Sequence, residues 1–291
     1  MLRLALEHLY SAFGHYRGQS GWADPLAVLP EEYDKMVASI PVRELPPEVF
    51  EYYSWHALVL WGHNEPALKY FLPRLAESWL EGPHTFEQKD NSSDVAAEMF
   101  IRELNAVNWK HWPAAEAEAI HGFFGAWFTA CIEDSKIHPG RETGFSKWDL
   151  PANRYAGEVL AYLGLLEVDI APQLREWEGS VELSALLQLA AFIGANTDSM
   201  TRHFRIGDWV EMWGELGVNE ETMRVAIAWM LKPAIRNRFE QAFLAAPDAA
   251  LQIALGEAIM NLELITSVWK SQMETAVPPA WARELVMSNF N

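Results

Sequence analysis

Glu118-Ala-Ile-His121 is the pair best suited to metal chemistry, because Glu-x-x-His puts a carboxylate and an imidazole on one helical face. Di-iron bundle sites use that spacing twice and add two further glutamates from neighbouring helices. The second instance here, Glu81-Gly-Pro-His84, falls on a Gly-Pro break that does not present ligands from a helix. A single such pair reads as a surface pair, and no metal or cofactor is expected. Nucleophilic catalysis fares no better. Gly18-Gln-Ser-Gly21 is not a Gly-x-Ser-x-Gly elbow, which also needs a preceding strand. Cys131, the one cysteine, sits among Phe, Trp and Ile, where a thiol is a small inert hydrophobe. Standing alone, it also excludes an internal disulfide framework and a cysteine-based zinc site. The signatures of zincins, dinucleotide folds and P-loops are absent from the sequence.

The acids Asp90, Asp94 and Glu98 recur at i, i+4, i+8 and loosely resemble a magnesium-binding motif of terpene cyclases. Those enzymes need an aspartate-rich motif well upstream, and this chain has no Asp-Asp pair. The acids read instead as a helix N-terminus, with Ser92-Ser-Asp as cap and carboxylates placed favourably against the helix dipole. Paired carboxylates for glycoside hydrolysis stay open, since their separation is a three-dimensional fact. An all-helical hydrolase or lyase, using such a pair in a Trp-lined pocket, is therefore the alternative reading.

The elements that would position these residues are helical throughout. Apolar residues recur at helical spacing, and no period-2 strand with hairpin chemistry is found. About thirteen helices are expected, most of about 10–20 residues with short joins. Leu2–Tyr16 carries the first apolar face, and Pro30-Glu-Glu opens the second helix. Pro47–Trp61 follows, and Asn64 caps a helix running to about Leu80. Pro73 inside that helix is expected to kink or divide it after Leu72. Ser92–Asn105 and Pro113–Asp134 complete the first half. The second half reads as Pro151–Leu166, Ala171–Trp177, Ser180–Ala195, Ile206–Leu216, Asn219–Leu231, Ala234–Leu244, Asp248–Trp269 and Pro279–Met287. Short joins favour antiparallel pairs stacked as a HEAT-like α-solenoid, with a compact irregular helical domain as the alternative. Residues 1–291 are taken as one domain, with any sub-boundary in the loop 135–152.

The chain has 40 Asp+Glu against 22 Lys+Arg, a formal charge of −18. Residues 1–150 hold 12 basic and 22 acidic side chains and residues 151–291 hold 10 and 18, so the halves carry −10 and −8. This even acidity repels phosphates and anionic lipid, which argues against nucleic acid and membrane as direct partners. Together with the absence of an uninterrupted apolar run of about 18 residues, it predicts a cytoplasmic protein. The partner it favours is basic. Tryptophan is in excess, at 14 of 291 residues. Trp55, Trp61, Trp79, Trp127, Trp213, Trp229 and Trp269 lie in helical patterns and read as fillers between helices. Trp22, Trp109, Trp112, Trp148, Trp177 and Trp281 fall near breaks, where they either anchor a protein partner or pin loops to the body.

Tyr53-Ser-Trp-His-Ala-Leu-Val-Leu-Trp-Gly62, followed by Ala67-Leu-Lys-Tyr-Phe-Leu-Pro-Arg-Leu75, resembles a segment of uncharacterised bacterial all-helical proteins. Some of these are immunity proteins encoded beside polymorphic (Rhs or type VI secreted) toxins. The resemblance covers about 25 residues, carries no catalytic motif and brings no functional residue with it. It implies a bacterial cytosolic antitoxin. The combined expectation is a non-catalytic binder that occludes the basic active-site cleft of a toxin acting on nucleotides or nucleic acid. Glu87, Asp90, Asp94, Glu98, Glu116 and Glu118 are the expected contacts; the sequence does not set the oligomeric state.

Overall fold

The computed structural model describes residues 1–22, 31–50, 53, 64–81, 92–139, 150, 154–203 and 218–275. Every complete element in this set is helical, and no strand occurs among the described residues, so the all-α expectation holds. The chain divides into two compact units, Met1–Trp127 and Phe128–Asn291. That division falls within a helix, earlier than the loop 135–152 in which the sequence placed any sub-boundary.

In the first unit, α1 (Leu2–Phe13) buries Leu6, Leu9 and Phe13, one stripe at helical spacing, and packs on α3 (Glu65–Glu81). Between α1 and α2 (Glu31–Ser39) the chain passes so close to α2 that a Cβ on Gly18 would lie 2.0 Å from the Val37 carbonyl oxygen. Only glycine permits that approach. Three acids occupy the first turn of α2, where the helix dipole favours them, and one of them has further work. Asp34 accepts hydrogen bonds from the Gly21 amide at 2.9 Å and the Tyr53 hydroxyl at 2.8 Å. The Asn64 side chain caps α3 by accepting from the Ala67 amide at 3.2 Å.

Pro73 does not divide α3, which is continuous from Glu65 to Glu81. Proline in a helix interior costs about 3 kcal/mol. Here α3 is wrapped by its unit, with Ala67, Leu68, Phe71, Leu72, Leu75, Ala76 and Trp79 all buried, and that apolar burial outweighs the penalty. Helices α4 (Ser92–Ala106) and α5 (Ala114–Ile132) follow, joined through a 3₁₀ turn at Trp109–His111. Trp79 stacks on Trp127, with ring centroids 6.2 Å apart, and meets Phe100 edge-on. Trp109 and Trp112 are buried too, so these break-borne indoles pin the α4–α5 connection to the body.

In the second unit, α6 (Ala156–Leu165) is buried at all ten positions and packs on α8 (Leu183–His203). A Cβ on Gly157 would come 2.7 Å from the Phe192 ring, so glycine sets how closely these helices approach. Trp177 on α7 (Ala171–Gly179) is fully buried, against Phe128 and Trp229, and its indole N–H donates to the Ala185 carbonyl at 2.7 Å. It too is core, as buried as any residue in the chain. The guanidinium of Arg238 donates to the carbonyls of Trp177, at 2.7 Å, and Ser180, satisfying the orphan acceptors at the end of α7. Asn219 caps α9 (Glu220–Met230), and Pro233 opens α10 (Pro233–Ala245) at a position where its missing N–H costs nothing. The long α11 (Ala249–Thr275) packs on α8 and α10.

Helix α11 also bears on the membrane expectation. By length and composition its Ala249–Val268 stretch is apolar enough to cross a bilayer, at mean hydropathy 1.3. It carries Glu257 and Glu263, however, and a third of that stretch is buried within its own unit (33%). The expected helices 206–216 and 279–287, the end of Pro47–Trp61, and Trp55, Trp61, Trp148, Trp213 and Trp281 lie outside the described residues. The side chain of Trp269, on α11, does as well.

Gln188 is the polar knot of the second unit. Fully buried on α8, its carbonyl oxygen accepts the Ala156 amide at 2.9 Å, while its amide nitrogen donates to the carbonyls of Cys131, at 3.3 Å, and Arg154. One side chain thus satisfies three backbone groups from two segments, the end of α5 and the start of α6. Replacing it by an isosteric apolar residue, Gln188→Met, removes the buried partner of the Ala156 amide and of the Arg154 carbonyl. The substitution is expected to lower unfolding free energy by about 3 kcal/mol, measured by denaturant titration.

Candidate functional site

The six acids proposed from sequence fall into three situations. Glu87 and Asp90 lie outside the described residues. Asp94 and Glu98 are on α4, with side chains that are not described. Glu116 and Glu118 stand two residues apart near the start of α5, which turns them to opposite sides. Glu118 is exposed, as is His121, so this Glu-x-x-His pair is at the surface. Glu116 is buried, with 3% of its surface exposed, so it faces the interior and not solvent.

Burial of Glu116 has a visible cause. Its carboxylate lies 3.1 Å from the ammonium of Lys69, which is itself buried on α3. Glu65, one turn earlier on α3, supplies a second carboxylate at 2.9 Å. The Tyr16 hydroxyl donates to Glu116 at 2.7 Å. The ammonium also lies 4.3 Å from the centre of the Trp112 ring and 5.3 Å from that of Tyr16, both cation–π distances. Glu116 occupies the first turn of α5, where the helix dipole adds to its stabilisation. Four segments therefore converge on one charged nitrogen.

Sequence reasoning passed over Lys69, Tyr16 and Trp112 as a group. One signal was available: Lys69 is the single charge within Ala67-Leu-Lys-Tyr-Phe-Leu, with Glu65 at i−4. A lysine in an apolar run of a packed helix must find its counter-charge in the protein.

The electrostatics decide what this cluster can do. Burial by itself would depress the Lys69 ammonium, but hydrogen bonds to Glu65, Tyr16 and Glu116 outweigh it and hold the group above its ordinary value. A lysine acting as nucleophile or base needs the opposite shift. The cluster is therefore arranged as an ion-pair site that keeps Lys69 charged. Cys131 is similarly unsuited to thiolate chemistry, since burial pushes its thiol up, with Asp134 and Glu158 acting in the same direction. Among the described residues no group of three or more His, Cys, Asp or Glu side chains is placed to hold a metal ion.

No known protein family, curated protein or solved structure matches this chain.

Several of the described cations are paired with carboxylates of their own unit. Arg43 forms a two-pronged pair with Glu7, and Arg74 pairs with Glu77. In the second unit Arg154 pairs with Asp134, Lys232 with Glu178, and Arg236 with both Glu240 and Glu263. Each unit keeps a large acid excess: 9 basic against 18 acidic residues in Met1–Trp127 and 13 against 22 in Phe128–Asn291, or −9 in each. Glu32, Glu44, Glu48, Glu118, Glu133, Glu182 and Glu257 are exposed carboxylates on these units.

Two outcomes test the buried cluster. Glu116→Ala leaves the Lys69 ammonium without its buried counter-charge and is expected to cost about 3–5 kcal/mol in unfolding free energy. The double change Glu116→Ala with Lys69→Met should recover part of that loss, and a strictly additive cycle would show that the pair is not coupled. The second outcome is alkaline sensitivity. Burial pushes the Tyr70 hydroxyl up to about 12 from 10.0, and it donates to the Ile40 carbonyl at 2.8 Å. Burial and the Glu77 hydrogen bond raise Tyr10, and burial with the Glu116 bond raises Tyr16. A raised folded-state value means that the stabilisation is complete below the unfolded value and is lost as pH rises through the folded one. Unfolding free energy should therefore begin to fall near pH 10 and continue to fall above it. In chemical denaturation across pH, Tyr70→Phe should flatten that decline.

Proposed function

We propose that this protein is a non-catalytic binding protein of the bacterial cytoplasm, an immunity protein that neutralises a toxin by occluding its basic active-site cleft. The observation that carries this reading is the acid excess of both units, −9 in each, with exposed carboxylates on both. A surface organised in this way attracts a basic protein at a distance and repels nucleic acid and anionic lipid. The resemblance of residues 53–75 to immunity proteins points the same way, and a HEAT-like stack of helix pairs is the architecture we assign to the whole chain. Occlusion needs no chemistry from the binder, in keeping with the charged, structural state of the Lys69 cluster. The carboxylates expected at the contact are Glu87, Asp90, Asp94, Glu98 and Glu118. Glu116 drops out of that set because it is committed to Lys69.

The test begins with the partner recovered on the full chain from the source cell and identified by mass spectrometry. The expected result is a basic protein whose toxicity on expression is relieved by co-expression of this chain. Charge reversal at Glu87, Asp90 and Glu118 together should slow association by about tenfold at low ionic strength, with the difference shrinking as salt is added. An acidic or neutral partner would overturn the reading, as would association indifferent to both salt and these reversals.

A further inference from the structure

Helix α11 has two apolar faces. Leu251, Leu255, Ala258, Leu262 and Ile265 form the buried one. Ile253, Met260 and Leu264 are 41%, 67% and 44% exposed. With Glu257 they fall at i, i+4, i+7 and i+11, so they form one stripe on the side of the helix away from its core. Phe243 of α10 laps the edge of this stripe. It is itself exposed, and its ring lies 3.4 Å from where a Cβ on Gly256 would stand. Single exposed apolar residues are ordinary, whereas a row of them at helical spacing beside a neighbouring aromatic marks an interaction face.

Charge selects what covers it. Glu257 is exposed in the middle of the stripe, and Glu263 stands beside it. Both arginines of α10 are engaged within the unit, and Arg236 set against Glu240, Glu257 and Glu263 still leaves this face acidic. Arg236 pairs with Glu240 and Glu263, and Arg238 is turned onto the carbonyls of Trp177 and Ser180. A second copy of the chain would bring another −9 unit, with its own Glu257, against this face. An anionic membrane would meet the same repulsion.

We propose that the Ile253–Met260–Leu264 stripe is the docking face for a basic amphipathic helix of the partner protein. Apolar side chains of that helix at i, i+3 or i+4, and i+7 would cover the stripe, and a lysine or arginine beside them would meet Glu257. Met260 at the centre suits this task, because its unbranched thioether adapts to the shape of what covers it. The inference rests on the reading of a basic partner and names a contact for it additional to the acids of residues 87–118, and the kind of element that occupies it.

The probe is a labelled helical peptide of about 18 residues built only from leucine and lysine, with leucines at helical spacing, and a leucine–glutamate peptide as its counterpart. Fluorescence anisotropy is measured on the full chain. The lysine peptide should bind and the glutamate peptide should not. Met260→Ser combined with Leu264→Ser should weaken binding on the order of tenfold, and Glu257→Lys by about threefold, less at high salt. Leu4→Ser, at an exposed apolar position on α1, should leave binding unchanged. Circular dichroism and Tm confirm that each variant folds. Equal binding by the Met260→Ser, Leu264→Ser chain would overturn the proposal. So would sedimentation showing a dimer that this double change abolishes, or binding to phosphatidylglycerol vesicles that it abolishes. The two readings separate on the native partner. A basic partner that binds the double variant as tightly as the original chain removes the stripe and leaves the binder. If no basic partner is found, the reading on which the stripe rests fails.

Discussion

A charged nitrogen closed off from water constrains the first unit more than any apolar contact does. An apolar side chain in a core accepts many neighbours, but the Lys69 ammonium accepts few: carboxylates, a hydroxyl and ring faces within reach. Glu65 comes from its own helix. Tyr16, Trp112 and Glu116 come from the chain after α1, the α4–α5 connection and the start of α5. Each of those segments must arrive in register for the lysine to be buried at all, so the ion pair specifies an arrangement that apolar packing alone leaves degenerate. Gln188 does the comparable job in the second unit with a neutral amide, holding three backbone groups of two segments through one side chain.

The helices were legible because their signals are local. Periodicity located α1 through α11 to within a few residues at most ends, and the Asn64 cap was read correctly. Where the local signals left alternatives open, long-range contacts decided between them. Pro73 carries a real local penalty, yet the burial of α3 along most of its length overrides it. Trp109, Trp112 and Trp177 sit at breaks in the pattern and still pack inward, because an indole's area outweighs the irregularity of the backbone around it.

The acidic site was the least legible part. Glu116 and Glu118 look equivalent in sequence, both glutamates in an alanine-rich first turn. What separates them is a lysine 47 positions earlier, and no local pattern encodes that distance. Glutamates on a helix turn outward by default, and a buried partner reverses the preference, as Lys69 does for Glu116 and the Tyr162 hydroxyl for Glu158. A lone lysine in an apolar run is thus a better predictor of which acids are internal than any pattern among the acids themselves.

The acid excess has an effect beyond stability. In a chain with nearly twice as many acids as bases, ion pairing removes one carboxylate for each Lys or Arg and still leaves an excess of carboxylates at the surface. That field reaches about 10 Å at 0.1 M salt, so it acts before contact and sets which molecules approach. An apolar stripe such as that on α11 has no reach of that kind and stabilises a complex only once water has left the interface. In a complex of the kind proposed, the two features would govern different stages of one event. Carboxylates would control the rate and the class of partner, and the stripe how long the partner stays. A surface with acids alone would bind any basic protein briefly, and a surface with the stripe alone would favour self-association. Glu257, set within the stripe, joins the two requirements at one place, because it penalises every apolar partner that lacks a positive charge at the matching turn.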